Sequence, residues 1–254
     1  MLTDSQMIDL LYGRRPVYEV LRVGRRRIYG LTLAEGLRES DDVISQIVSL
    51  ARSIGAPLAR ASRRELDRVS AHHQGVVLEA GPYPYLDLGE MLAYSAEQES
   101  PPLFLLLDLL QDPQNVGSLL RSAEAVGVHG VVIPRRRAVA VTPAVVSASA
   151  GAVEYLRVAQ LTNLARTIDE LKDHDVWIAG LDAGADAELY DLADLRGPLA
   201  LVVGSEGSGL RRLVREKCDY LIRLPMRGRV ASLNAAVAGS VALYEVDRQR
   251  REQG

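Results

Sequence analysis

The sequence predicts an α/β protein in two parts, a small α/β domain followed by a larger domain built on a mostly parallel sheet. Three observations carry this reading. Strongly apolar runs recur at 103–110, 130–133, 176–180, 199–203 and 220–224 with helical stretches between most of them, and strand–helix alternation implies parallel strands covered on both faces. Shorter helices and strands alternate through the first 80 residues. Between the two regions, residues 93–102 break every periodic pattern and end in Pro101 and Pro102, as a connecting segment does. The expected boundaries are 1–95, a linker over 96–102, and 103–254.

In the first part, apolar spacing and turn residues predict a helix near 15–23, a strand near 27–34, a helix near 41–54, a short strand near 57–60, a helix near 62–69 and a strand near 75–80. No paired carboxylates and no nucleophile–base set occur there, which assigns the domain binding rather than chemistry. His72, His73 and Gln74, ahead of Gly75, read as a turn or as a polar rim. In the second part, the run at 103–110 is apolar enough for a central strand. The last helix is expected from Asn234 to about Arg250, and its Ala and Val content suits close packing against another backbone.

Composition narrows the function classes. With 48% apolar but only 5% aromatic residues, the 254-residue chain has enough Leu, Val and Ala for a core that needs no staples. Cys218 is the sole cysteine, so no intrachain disulfide forms, and no Cys/His set has zinc-ligand spacing. No metal is expected. The start lacks the basic and apolar regions of a signal peptide, and no apolar run approaches membrane-spanning length, so a cytoplasmic protein without a membrane is expected.

A net charge of −3 argues against binding nucleic acid by bulk charge, but the charges are unevenly placed. Nine acids fall between Asp169 and Asp194, whereas Arg211, Arg212, Arg215, Lys217, Arg223, Arg227 and Arg229 face only Glu216 and Asp219 in their stretch. Two compact clusters, Arg25-Arg26-Arg27 and Arg135-Arg136-Arg137, fit either phosphate contacts or solvated surface.

In open α/β sheets, ligands sit beyond the carboxyl ends of the strands, and three loops there are unusual. Asp112-Pro-Gln-Asn-Val-Gly117 leads into a helix that Asn115 is placed to cap, with Arg121 on its first or second turn. Arg121 suits a structural salt bridge or, near a positive helix end, the grip of a phosphate. Gly204-Ser-Glu-Gly-Ser-Gly209 has G-x-x-G-x-G spacing, not that of a dinucleotide fingerprint, and Glu206 would repel a pyrophosphate there. Leu224-Pro-Met-Arg-Gly-Arg-Val-Ala-Ser-Leu-Asn234 places Ser232 and Asn234 at the mouth of the last helix, as caps or as a site. Its apolar backbone suits a flat pocket for a purine ring.

These three segments, in this order, closely resemble the signature motifs of the SpoU/TrmH ribose methyltransferases. The resemblance spans about 103–248. Tyr12-Gly13, residues 17–21 and His73-Gln-Gly-Val76 carry a softer likeness to the ribosomal-protein-like (L30e-like) substrate domain of enzymes that methylate a 23S rRNA guanosine. The resemblance implies a trefoil-knotted C-terminal domain, a homodimer, RNA as substrate and S-adenosylmethionine as cofactor. It sets the cofactor against the main chain at Gly204, Leu224 and Leu233, with Ile222, Met226 and Glu206 nearby. It gathers Asn115, Arg121, Glu206, Ser232 and Asn234 around the reacting ribose. Ala235 and Ala236 stand where relatives often have Val-Ser, a departure expected to alter packing rather than chemistry.

Overall fold

A computed structural model describes residues 8–38, 42–205, 207–230 and 232–252, and in it the chain divides into two units. The first contains residues up to Pro84 together with Val141–Tyr155; the second contains Tyr85–Ala140 and the chain from Leu156 onward.

The first unit is built on β1 (Asp9–Tyr12), α1 (Arg14–Val23), β2 (Ile28–Ala34), α2 (Asp42–Ser53), β3 (Leu58–Ala61), α3 (Arg63–Asp67) and β4 (Val76–Ala80). Its sheet has the order β1-β4-β2-β3. β4 runs antiparallel to β1 and β2, and β3 is parallel to β2. α1 buries Pro16, Val17, Val20 and Leu21 on one stripe and ends at Gly24, whose left-handed backbone lets its N–H donate to the Val20 carbonyl. α3 starts in a capping box, with Glu65 N–H donating to Ser62 Oγ and Ser62 N–H to the Glu65 carboxylate. The six expected elements are all present. β1 is an addition, and its Asp-Leu-Leu-Tyr sequence neither alternates nor forms a longer apolar run.

The second unit comprises α4 (Leu88–Ala96), β5 (Leu103–Asp108), α5 (Pro113–Ala125), β6 (Gly130–Pro134), β7 (Val158–Leu161), α7 (Leu164–Lys172), β8 (Trp177–Leu181), β9 (Glu188–Leu189), β10 (Leu199–Gly204), α8 (Arg212–Lys217), β11 (Tyr220–Arg223) and α9 (Ala235–Arg251). α6 (Pro143–Ala148) and a single 3-10 turn (Ala152–Glu154) lie in the stretch that joins the first unit. The seven-stranded sheet has the order β7-β6-β5-β10-β8-β11-β9, and its pairings are parallel. Every residue of β5 and β10 is buried, as their unbroken apolar runs require. The chain moves outward from β5 through β6 to β7 and then fills the other side. The order therefore reverses between β5 and β10, whose last residues Asp108 and Gly204 are register partners. That reversal is where an open parallel sheet offers a crevice.

The division differs from the one expected. α4 precedes the proline-rich segment yet belongs to the second unit, because Leu88 and Met91 are buried with Phe104 and Val132 in its core. Residues 141–155 leave the second unit for the first, and charge holds them there. Arg26 is fully buried; its Nε and Nη2 donate to both carboxylate oxygens of Glu154, at 3.0 and 2.7 Å, and its Nη1 donates to Asp9 at 2.8 Å and to the Gly81 carbonyl. Arg25 donates to the carbonyls of Glu154 and Pro84 and stacks 5.6 Å from the Tyr83 ring. Tyr83 in turn donates to the Val153 carbonyl, and burial pushes its phenol well above the ordinary value. Arg25 and Arg26 are thus consumed inside the first unit rather than offered to phosphates.

Candidate active site

The loop after β10 is shaped by glycine. Ser205 and Gly209 exchange backbone hydrogen bonds of 3.2 and 3.0 Å, with Gly207 and Gly209 at φ 89° and 65°, a region that other residues enter at a cost. A Cβ on Gly204 would overlap the Gly209 carbonyl group and lie 2.6 Å from Leu210 N. The far end of the loop is tied to β5. Asp108, wholly buried, accepts from Arg211 N–H at 2.8 Å and from Arg211 Nε at 2.6 Å.

A cavity of about 320 Å³ opens at the carboxyl ends of β8, β10 and β11. Leu181, Val203, Leu224, Met226 and Leu233 give it apolar walls, while Gly204, Ser205 and Gly209 present main chain. Asp182 also lines it and is held in place, since its carboxylate accepts from Gly184 N–H at 2.7 Å and from Arg215 Nε at 3.1 Å.

Beside the cavity, α5 and α9 run parallel. α5 starts at Pro113, with Asp112 as its cap accepting from Gln114 N–H at 2.9 Å. Asn115 therefore lies inside the first turn rather than at the cap, and Arg121 falls on the third turn, not the first or second. The proline fixes the earlier start, because it needs no N–H partner at the first helical position. Asn234 caps α9, its Oδ1 accepting from Ala236 and Val237 N–H at 2.9 and 3.2 Å, while its Nδ2 donates to Asn115 Oδ1 at 2.9 Å. Further along, Ser240 donates to Ser122 at 2.8 Å, and Gly239 gives room to Leu119, whose Cδ1 would lie 2.9 Å from an added Cβ. Two positive helix ends thus meet at the Asn115–Asn234 pair.

Gly204, Leu224, Met226, Ser232 and Leu233 share the cavity wall, and Asn115 and Asn234 are joined beside it. Ile222 is wholly buried in β11 and supports the wall without lining it. Arg121 is exposed and makes no hydrogen bond or ion pair among the described residues; it sits six residues, about 9 Å along the axis, from Asn115. Glu206 lies outside the described residues. Asp108 and Asp182 are polar groups of the site that sequence reading passed over. The signal for Asp182 was available, since it stands two residues past the apolar run at 176–180 and so at a strand's carboxyl end.

Cys218 is no nucleophile here. Its thiol donates to the Val214 carbonyl, and burial pushes its pKa up to about 12, which leaves it protonated and inert. No group of three or more His, Cys, Asp or Glu among the described residues is arranged to hold a metal ion.

This architecture has known counterparts. Residues 102–244 match the SpoU rRNA Methylase family, and residues 10–86 match the RNA 2'-O ribose methyltransferase substrate binding family. YacO of Bacillus subtilis (strain 168), assigned by name to the TrmH family of tRNA/rRNA methyltransferases, is 45% identical over 98% of this chain and 99% of its own. A Staphylococcus haemolyticus protein of the same designation is 42% identical over 96% of this chain and 97% of its own. The crystal structure of the SpoU methyltransferase AviRb from Streptomyces viridochromogenes, in complex with AdoMet, superposes with a TM-score of 0.79 at 26% identity, covering 97% of this chain and 92% of that one. A structure described as an RNA 2'-O ribose methyltransferase gives 0.77 at 29% identity, covering 98% and 91%. With three loops converging on one crevice of a parallel sheet, and family matches over both parts of the sequence, the chain belongs to the SpoU/TrmH family of RNA methyltransferases.

Proposed function

We propose that this protein transfers a methyl group from S-adenosylmethionine to a ribose 2'-hydroxyl of RNA, with a guanosine of 23S rRNA as its target in the cytoplasm. The single observation that carries the reading is the Asn115–Asn234 hydrogen bond, which joins two helix N-termini beside a cavity walled by apolar side chains and main chain. The residues fit the cofactor: about 320 Å³ of largely apolar space with backbone donors and acceptors suits an adenosine. Gly204, Leu224 and Leu233 would hold it, with Met226 alongside. When bound, the sulfonium supplies an electrophilic methyl group.

The remaining work is positioning, which can supply much of the rate of an in-line transfer. Asn234 and Ser232 orient the ribose or the methionine end of the cofactor, and Asn115 fixes Asn234. Arg121 clamps a phosphate next to the target and stabilises charge developing on the 2'-oxygen. A guanidinium keeps its proton at any working pH, so water or a phosphate oxygen receives the hydroxyl proton. Glu206 is assigned to hold the loop or Arg121 in shape. The knotted path is proposed for the second unit on the family resemblance. A homodimer is proposed on a stripe of α9, where Val237, Val241 and Tyr244 are 50, 38 and 52% exposed at helical spacing; a monomer in sedimentation equilibrium at micromolar concentration would remove it.

Mapping ribose methylation in rRNA and tRNA from cells lacking the gene tests the function. Loss of one 23S rRNA mark is expected. Loss of a tRNA mark instead would reassign the substrate, and loss of neither would end the proposal. Arg121→Lys is expected to cut turnover by about 10²-fold or more while RNA affinity stays near wild type. Turnover near wild type would contradict the bidentate clamp.

A further inference from the structure

In the second unit, most arginines are already engaged. Arg166, Arg196, Arg211, Arg215, Arg248 and Arg251 pair with carboxylates. Arg250 donates to three carbonyls, Arg223 to one, and Arg157 stacks on Tyr94. The exceptions are segregated. Besides Arg121, they are the Arg135-Arg136-Arg137 run directly after β6 and the Arg227 and Arg229 pair, four and six residues past the end of β11. All five are exposed and none meets a carboxylate among the described residues; the one side-chain contact in either group is a long hydrogen bond of 3.4 Å from Arg135 to the Gln160 carbonyl.

Both groups follow the carboxyl ends of strands, the edge that carries the cavity. The 135–137 run is stapled to the first site loop, since Val139 N–H donates to the Leu110 carbonyl at 3.0 Å and Gln111 Nε2 donates to the Arg137 carbonyl at 3.2 Å. That loop ends in the Asp112 cap of α5, three residues before Asn115. On the other side, Arg227 and Arg229 lie within the 224–233 segment that walls the cavity. β6 and β11 are separated by β5, β10 and β8, four strand spacings or about 19 Å. These guanidinium groups flank the Asn115–Asn234 corner and meet no carboxylate among the described residues.

We infer that the RNA backbone crosses the carboxyl edge of this sheet between two phosphate stations, Arg135-Arg136-Arg137 on one side and Arg227 with Arg229 on the other, with the target ribose between them. This rests on the proposed RNA methyl transfer and names the surface that would hold the substrate. Each station binds phosphate oxygens through charge-assisted hydrogen bonds. Each contact releases counterions, so it is read in the salt dependence of binding.

The test uses the full-length protein and a 23S rRNA transcript, with binding measured across a salt series. The triple variant R135Q/R136Q/R137Q is expected to shallow the slope of log K against log salt by about two, and R227Q/R229Q by about 1.4, at roughly 0.7 per phosphate lost on a single strand. Two comparisons separate local contact from bulk charge. The triple variant R166Q/R196Q/R251Q, drawn from ion-paired arginines, removes the same charge and should keep the wild-type slope, and R135K/R136K/R137K should keep it as well. S-adenosylmethionine affinity of R135Q/R136Q/R137Q by calorimetry should equal wild type, which shows that the fold is intact. Wild-type slopes in both station variants, or an equal fall in the ion-paired control, would overturn the inference while leaving methyl transfer in place. A wild-type protein that neither binds nor methylates the transcript or bulk tRNA would remove the underlying reading and the inference together.

Discussion

At the scale of single residues, Gly204 is the most constrained position of the site. Even one methyl group there would meet the Gly209 carbonyl, and because that neighbour is backbone, the loop itself must move. Gly204→Ala is expected to weaken S-adenosylmethionine binding by roughly tenfold or more, a cost of the size overpacking brings, with the circular dichroism spectrum unchanged. Unaltered affinity in calorimetry would show that the loop is not part of the cofactor wall. The placement of Asn234 at the cap of α9 and of Gly204 in the loop at the cavity was legible in the sequence, because each is written in a local motif. Asp108 was not, because its importance comes from Arg211, 103 positions away, and nothing in local spacing announces that two strand ends meet.

At the scale of elements, strands carried by an apolar run were readable, the four-residue β11 among them, while β7 and β9 were not. β5 and β10 stand out as unbroken apolar runs, whereas Gln160 interrupts β7 and β9 has only two residues. The first residue of β5 also depends on a partner outside it. Leu103 N–H donates to His129 Nδ1 at 2.8 Å, which leaves Nε2 to carry the proton toward Ser100 Oγ at 3.2 Å. Burial, aided by the nearby Arg250 charge, holds this imidazole below the ordinary histidine range. The unfolded chain therefore takes up the proton first as pH falls below about 6.5, so stability is full above that value and declines beneath it. His129→Asn retains an acceptor but cannot titrate, so its melting temperature should fall less than that of wild type between pH 6.5 and 5.5. Identical profiles would remove His129 from the account.

At the scale of the whole molecule, the return of residues 141–155 to the first unit could not be read from the sequence, because Arg26 and Glu154 are 128 positions apart. Their pairing is buried on both sides, and breaking such a pair by removing one partner typically costs about 3–5 kcal/mol. Glu154→Ala is thus expected to lower the urea midpoint sharply. Replacing both partners with apolar residues, as in R26M/E154L, should recover much of the loss. A midpoint unchanged in Glu154→Ala would mean that the charge is met by other groups. Because the chain enters the first unit twice, a single cut in the proline-rich segment would not free that unit whole. On a ribosome, the early half emerges with Asp9 beside the Arg26 guanidinium, and the second, fully buried carboxylate is added only when residue 154 is synthesised. The first unit is complete in sequence only after part of the second has been made, although its larger segment comes first.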